Sequence, residues 1–293
     1  MANLRAIRTR IKSVENTRQI TKSMKMVAAA KLRKTQASFA NLRAYADRSA
    51  GILEKIDGSL PKDTNPWLKP HAEIGTVCYV LAVGNRGLCG TYNQALLRYC
   101  ENLVKNSERE NYIISCGRWG KDLIASAGLE VRETFEISDN PTHEEALQLA
   151  ERLKKLYQDG TVDEIVLVYQ HYRTVLSQTP MHEQLLPILR QEENAAVRTA
   201  EEAEVIYEPD CESLIATLLD MYIGNTVHAM LLEARCGEHS ARMTAMTAAA
   251  DNTEELIDEL TLELNHARQA AITTEISEIA GGAEALRNNQ TGG

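Results

Sequence analysis

All seven prolines of this chain lie between positions 61 and 209, at 61, 66, 70, 141, 180, 187 and 209. Proline removes a backbone donor and clashes with the preceding helical turn, so the two proline-free ends have room for unusually long helices. At about 1.5 Å per residue, a helix over 3–56 spans ~80 Å and one over 210–285 spans ~110 Å, both longer than the ~30 Å width of a small domain. The expectation is of two long terminal helices flanking a central domain.

Periodicity agrees. Leu4, Ile7, Ile11 and Val14 step by three, four and three, the spacing of a coiled-coil seam, and Ile20, Met24 and Val27 are expected to continue it with a slip. Near the other end Leu256, Leu260, Leu264, Ala267 and Ala271 step by four, four, three and four. An ordinary amphipathic helix on a globular core has the same period, but the length favours a coiled coil. Charge suggests the pairing. Residues 1–48 hold twelve Lys or Arg against two acids, and residues 210–287 hold four Arg against fourteen Asp or Glu. A basic and an acidic helix attract where like-charged helices repel, and a central domain between them lets the pair run antiparallel. The basic segment has few aromatic residues to stack on bases and a compensating acidic partner in the same chain, so nucleic acid is not expected as a ligand.

From Ile74 the texture changes. IGTVCYVLAV (74–83), YIISCG (112–117) and EIVLVYQHY (164–172) read as strands, separated by helical stretches at 93–106, 121–128 and 142–158. This alternation predicts a parallel, three-layer α/β unit, with 180–189 as an edge strand because its prolines would spoil a central one. The loop GNRGLCG (84–90) joins strand to helix but matches neither GxxxxGK[ST] nor GxGxxG, and reads as a tight turn. Six cysteines are scattered without a CxxC pair, seven histidines are dispersed, and neither GxSxG nor HExxH occurs. Hence no catalytic residues, no metal and no cofactor are expected. No run reaches the roughly 18 apolar residues of a membrane span, and the basic, periodic N-terminus is not a secretory signal, so a cytoplasmic location is expected.

Several segments then carry a specific resemblance. IKSVENTRQITKSMKMVAAAKLRKTQ (11–36), RGLCGTYN (86–93), YEPD (207–210), ARMTAMTAAADN (241–252) and ARQAAITTEISEIAGGAEAL (267–286) closely resemble the gamma subunit of bacterial F-type ATP synthases. The resemblance covers nearly the whole chain in order. It implies an α/β chain with a long antiparallel two-helix coiled coil from the N- and C-termini (1–60 and 209–287), a central Rossmann-like α/β domain (74–190) and a disordered tail (288–293). The implied role is that of a non-catalytic rotor shaft in a proton- or sodium-translocating complex. Its partners would be the alpha and beta subunits of the catalytic ring, the epsilon subunit and the membrane c-subunit ring. The chain would sit peripherally on the cytoplasmic face of the cell membrane, without inserting into it.

By motif position, Lys22, Met24 and Lys25 match the family segment that meets beta subunits near the rotor's bearing. Arg242, Gln269 and Thr273, with Glu275 and Glu278 further along, match the facing helix, and Tyr207 and Glu208 match the turn near the c ring. Two departures stand out. The regulatory cysteine pair of chloroplast members is missing before YEPD, and Gly84-Asn85 stands where many relatives carry a polar-Asp pair before RGLCG. The bottom-up alternatives are a non-rotating coiled-coil scaffold and an α/β nucleotide-binding enzyme with helical appendages.

Overall fold

A computed structural model describes residues 2–57, 65–71, 74–188 and 211–290. Two helices dominate it: α1, Ala2–Asp57, and α5, Cys211–Gln290, of 56 and 80 residues. At about 1.5 Å per residue they measure ~84 and ~120 Å. The helix α5 enters the segment expected to form a tail, and residues 291–293 lie outside the described ones. The chain divides into two compact units, one of Met1–Val27 with Ala245–Gly293 and the other of Ala28–Thr244.

The first unit is a two-helix antiparallel coiled coil. Covered positions on α1 fall at Leu4, Ile7, Ile11, Val14, Arg18, Thr21 and Lys25, a three–four alternation, with the expected Met24 half-buried beside Lys25. The expected slip is therefore absent. Ile20 and Val27 point outward, 60% and 55% exposed, and Arg18 and Thr21 hold the seam instead. The Thr21 hydroxyl meets its own hydrogen-bonding need by donating to the Arg18 carbonyl at 2.9 Å. On α5 the covered positions include Met246, Ala250, Thr253, Leu256, Leu260, Leu264, Ala267 and Ala271, which agrees with the sequence reading. Arg18 bonds Glu254 across the seam at 3.2 Å, basic helix to acidic helix as the charge distribution suggests.

In the second unit a five-stranded sheet has the order β3-β2-β1-β4-β5. Its strands are β1 Thr76–Ala82, β2 Glu110–Cys116, β3 Val131–Phe135, β4 Glu164–Tyr172 and β5 Gln178–Leu186. The first four are parallel, and β5 returns antiparallel to β4. As expected, the proline-bearing β5 forms an edge, with Pro180 opposite Gln170. The strand β3 escapes the sequence reading. Its alternation places Glu133 on the covered side, where Tyr112 and Arg152 bond the carboxylate.

Alternation along β1 makes two cores. Val77, Tyr79, Leu81 and Val83 face α2 (Tyr92–Asn106) and α3 (Gly120–Ser126). Cys78, Val80 and Ala82 face α4 (His143–Gln158) and the apolar stripe of α5 from Ile215 to Ala234. A capping box starts α4: Thr142 Oγ1 accepts from the Glu145 amide, and Glu145 accepts from the Thr142 amide. Part of α5 is apolar and long enough to cross a bilayer by composition (mean hydropathy 1.2), but its stripe in this unit is packed as core against the sheet.

Candidate functional surfaces: a filled sheet edge and an open helix end

Open α/β sheets bind ligands outside the carboxyl ends of their parallel strands, so that edge is the first place to look for chemistry. Here it is filled by the chain's own charges. From α5, Arg235 donates to the Val83 carbonyl at 3.3 Å, to Asn85 Oδ1 at 2.9 Å and to the Ile137 carbonyl at 3.2 Å. Glu238 lies between two guanidinium groups, 2.6 Å from Arg235 and 2.7 Å from Arg242. Arg242 also donates to the carbonyls of Arg86 (2.9 Å) and Gly87 (3.3 Å), which pins the RGLCG loop to the helix. A Cβ at Gly84 would come within 3.1 Å of Asn93 Oδ1 and 3.2 Å of Glu238 Cδ, so this position packs closely against the carboxylate.

Electrostatics match the geometry. Burial pushes the Glu238 carboxyl up, but Arg235 and Arg242 outweigh it and hold the group below its usual range. Burial likewise opposes ionisation of Asp139, yet bonds from Lys31 and Asn85 bring it down to about 2. Asn85 uses both ends of its amide, accepting from Arg235 and donating to the Ile137 carbonyl at 2.6 Å. An aspartate there could accept but not donate. Two histidines of α5, His239 buried and His228 half-buried, hold the next loop: His239 Nε2 donates to Asp139 O and His228 Nε2 to Pro141 O, each at 3.2 Å. Burial keeps both below the ordinary histidine range.

The other surface is the far end of α5. Its seam ends at Ala271, and every described side chain from 272 to 283 is exposed. Ile272, Ile276 and Ile279 are 48%, 61% and 73% exposed at helical spacing. At about 100° per residue they form one stripe with Ala283. Glu275 and Glu278 lie on one flank of it, and Gln269 and Thr273 on the other. Thr273 donates its hydroxyl to the Gln269 carbonyl at 2.9 Å. On α1, Lys22 is exposed and Met24 and Lys25 are half-buried.

The motif-matched residues thus divide. Lys22, Met24, Lys25, Gln269, Thr273, Glu275 and Glu278 belong to the coiled-coil unit, whereas Arg242 is buried in the α/β unit with its bonds committed inside the chain. Tyr207 and Glu208 lie outside the described residues. Sequence reasoning noted Asn85 only as a departure before RGLCG, and it missed Arg235 and Glu238. Their signal was LLEARCGEHSAR (231–242), where charges recur every three or four residues on the face that the apolar stripe has already marked as buried.

Comparisons with known proteins follow this architecture end to end. A family model described as ATP synthase matches residues 3–286. The ATP synthase gamma chain of Moorella thermoacetica is 41% identical over 288 residues, covering 98% of this chain and 100% of the relative. That of Desulfitobacterium hafniense is 40% identical over 289 residues, with the same coverage of each chain. Among solved structures, a chain of the Euglena gracilis mitochondrial ATP synthase (OSCP/F1/c-ring, rotational state 3) has the same fold. Its TM-score is 0.70 at 21% identity, with 100% of this chain and 97% of that one covered. A chain of the Tetrahymena thermophila central stalk and c-ring gives a TM-score of 0.60 at 22% identity, over 78% and 99%. With matches over nearly its full length to bacterial gamma chains, this protein belongs to the ATP synthase gamma-chain family.

Proposed function

We propose that the chain is the central rotor shaft of an F-type ATP synthase. It couples rotation of the membrane c ring to conformational change at the alpha and beta subunits, in the direction of ATP synthesis or hydrolysis. The epsilon subunit joins it, the coupling ion is a proton or sodium, and the chain sits peripherally on the cytoplasmic face of the membrane. It is non-catalytic. The filled sheet edge supports that part of the reading, because the place where such a sheet would hold a nucleotide is occupied by Arg235, Glu238 and Arg242.

One observation carries the rotor reading: an isoleucine stripe with unlike flanks on a helix end that the described residues leave exposed. A shaft shifts a partner's conformational equilibrium only by binding its states differently. Driving a two-state equilibrium from 1:99 to 99:1 takes ~5.5 kcal/mol of differential interaction. Burying one isoleucine contributes about 1.5–3 kcal/mol, so two or three contacts made in one orientation and lost in another reach that scale. The stripe is apolar, one flank bears carboxylates, and the other bears an amide and a hydroxyl. A turn of the helix therefore presents a chemically different face to a fixed neighbour. Lys22, Met24, Lys25, Gln269, Thr273, Glu275 and Glu278 are assigned to contacts with beta subunits, and Tyr207 and Glu208 to the c-ring end.

The test is to tag the chain, purify it from native membranes and assay ATP hydrolysis. One copy per three alpha and three beta subunits, with ATPase activity co-eluting, is the expected result. Purification alone, or with unrelated proteins and no ATPase activity, would return the chain to a non-rotating scaffold.

A further inference from the structure

The contacts between α5 and the sheet are of two physical kinds. Ile215, Leu219, Ile223, Val227 and Leu231 press an apolar face against the strands, a contact with no preferred direction about the helix axis. Such a face fixes how near the helix lies but resists rolling weakly. Arg235, Glu238 and Arg242 add directional bonds, since hydrogen bonds weaken steeply as their angles depart from linear. These bonds reach two separate segments: the stretch from Val83 to Gly87 that follows β1, and Ile137 beyond β3. Stability alone is a poor reason for the arrangement. Burying an acid between two guanidinium groups gains little over an apolar core of the same volume, and fixing one register is the better-attested use of such a cluster.

We infer that the buried Arg235–Glu238–Arg242 cluster is a torque joint, which fixes the angular position of α5 against the strand ends so that turning force passes between sheet and helix without roll. The inference rests on the rotor reading above. In it, Glu238 is a positioning residue, the anion on which both arginines converge.

The experiment uses the complete, membrane-reconstituted complex carrying Glu238→Gln, Glu238→Ala or Glu238→Leu. It measures subunit stoichiometry, ATP hydrolysis and ion transport per ATP hydrolysed. Glu238→Gln and Glu238→Ala are expected to assemble and hydrolyse ATP at the wild-type rate while transport per ATP falls about threefold. Sodium formate, small enough to replace the missing carboxylate, should restore transport in Glu238→Ala. It should not do so in Glu238→Leu, where the side chain fills the space, and sodium chloride at equal ionic strength should restore neither. Unchanged transport per ATP in the Gln and Ala variants would overturn the joint. So would a complex that fails to assemble even with formate, because the cluster would then be a folding element. Absence of ATP hydrolysis from the wild-type complex would overturn the rotor reading itself, an outcome separate from either of these.

Discussion

In the unit formed by residues 28–244, the buried charges Arg235, Glu238 and Arg242 are bonded to one another and to carbonyls of the chain. In the unit formed by residues 1–27 and 245–293 the interior is a single seam, and three isoleucines near the end of α5 are left to solvent. The same helix, α5, contributes to both. The difference teaches where to look for function in a chain without catalytic groups: the part that satisfies its own bonds is a body, and the part that leaves apolar surface uncovered is a contact. Leaving a buried charge without its partner in the first unit should therefore cost folding stability, besides any loss of coupling through the joint, whereas removing an exposed isoleucine in the second should cost coupling alone.

The largest loss of stability is expected for Arg235→Leu. It strips Glu238 of one of its two partners and takes one donor each from Asn85 Oδ1 and the Val83 and Ile137 carbonyls, at a cost of about 3–5 kcal/mol. Urea unfolding followed by tryptophan fluorescence checks this locally, because Trp67 and Trp119, the chain's only two tryptophans, both lie in this unit. A loss under 1 kcal/mol would break the comparison, since Glu238 would then not depend on Arg235 to balance its buried charge.

Acid titration sharpens it. His228 and His239 are held below their ordinary value of 6.5, so the unfolded chain takes up their protons first. Their contribution to stability is present above pH 6.5 and is lost as pH falls below it. Asp139, lowered from 3.8 to about 2, contributes above 3.8 and loses that contribution as pH falls toward 2. Fluorescence-detected stability should thus decline in two stages. Replacing both histidines by Gln, which can still donate to the Asp139 and Pro141 carbonyls, should flatten only the upper one. An upper stage that survives the double replacement would place its origin elsewhere.

Much of this division was legible in the sequence. Proline-free ends gave the long helices, opposite charge gave their pairing, and the strand–helix alternation gave the parallel sheet. The readings failed where residue type was trusted over spacing. Ile20 and Val27 look like seam residues but point outward, because the three–four rhythm assigns the seam to Arg18, Thr21 and Lys25. The strand β3 was hidden by Glu133, a carboxylate on a covered face that only a distant Arg152 and Tyr112 make affordable. Arg235 was missed for the same reason, and Glu238 with it: a charged residue on a helix reads as solvated until the acceptors of Arg235, about 100 to 150 residues away, are seen to bury the pair. The exposed isoleucines were visible as a motif, but that none of the described residues covers them was not.

Arg18→Ala tests the coiled-coil unit from its covered side. The pair with Glu254 is 34% and 55% exposed, so solvent and salt screen it and its loss should cost no more than about 1 kcal/mol. Circular dichroism of the melting helices, at low and at high salt, is the measurement. A cost above 2 kcal/mol, or one that persists in high salt, would mean that charge rather than the apolar seam sets the stability of this unit.

The smallest effect on stability is expected for Ile276→Ser with Ile279→Ser. Both side chains are exposed, at 61% and 73%, so the isolated chain loses almost no buried area and should unfold within about 0.5 kcal/mol of wild type. In the assembled complex the expectation reverses. If the stripe is the face that a partner covers in one orientation, each isoleucine carries part of a burial term of about 1.5–3 kcal/mol, and losing both should reduce ion-driven ATP synthesis at least tenfold. The pairing of results is the informative part. A destabilised chain would mean that the stripe is covered within the fold after all, and the contrast between self-satisfied body and open contact would collapse. An unchanged chain with unchanged synthesis would leave the contrast intact but move the working contact to Lys22, Met24 and Lys25, where the same pair of measurements would then apply.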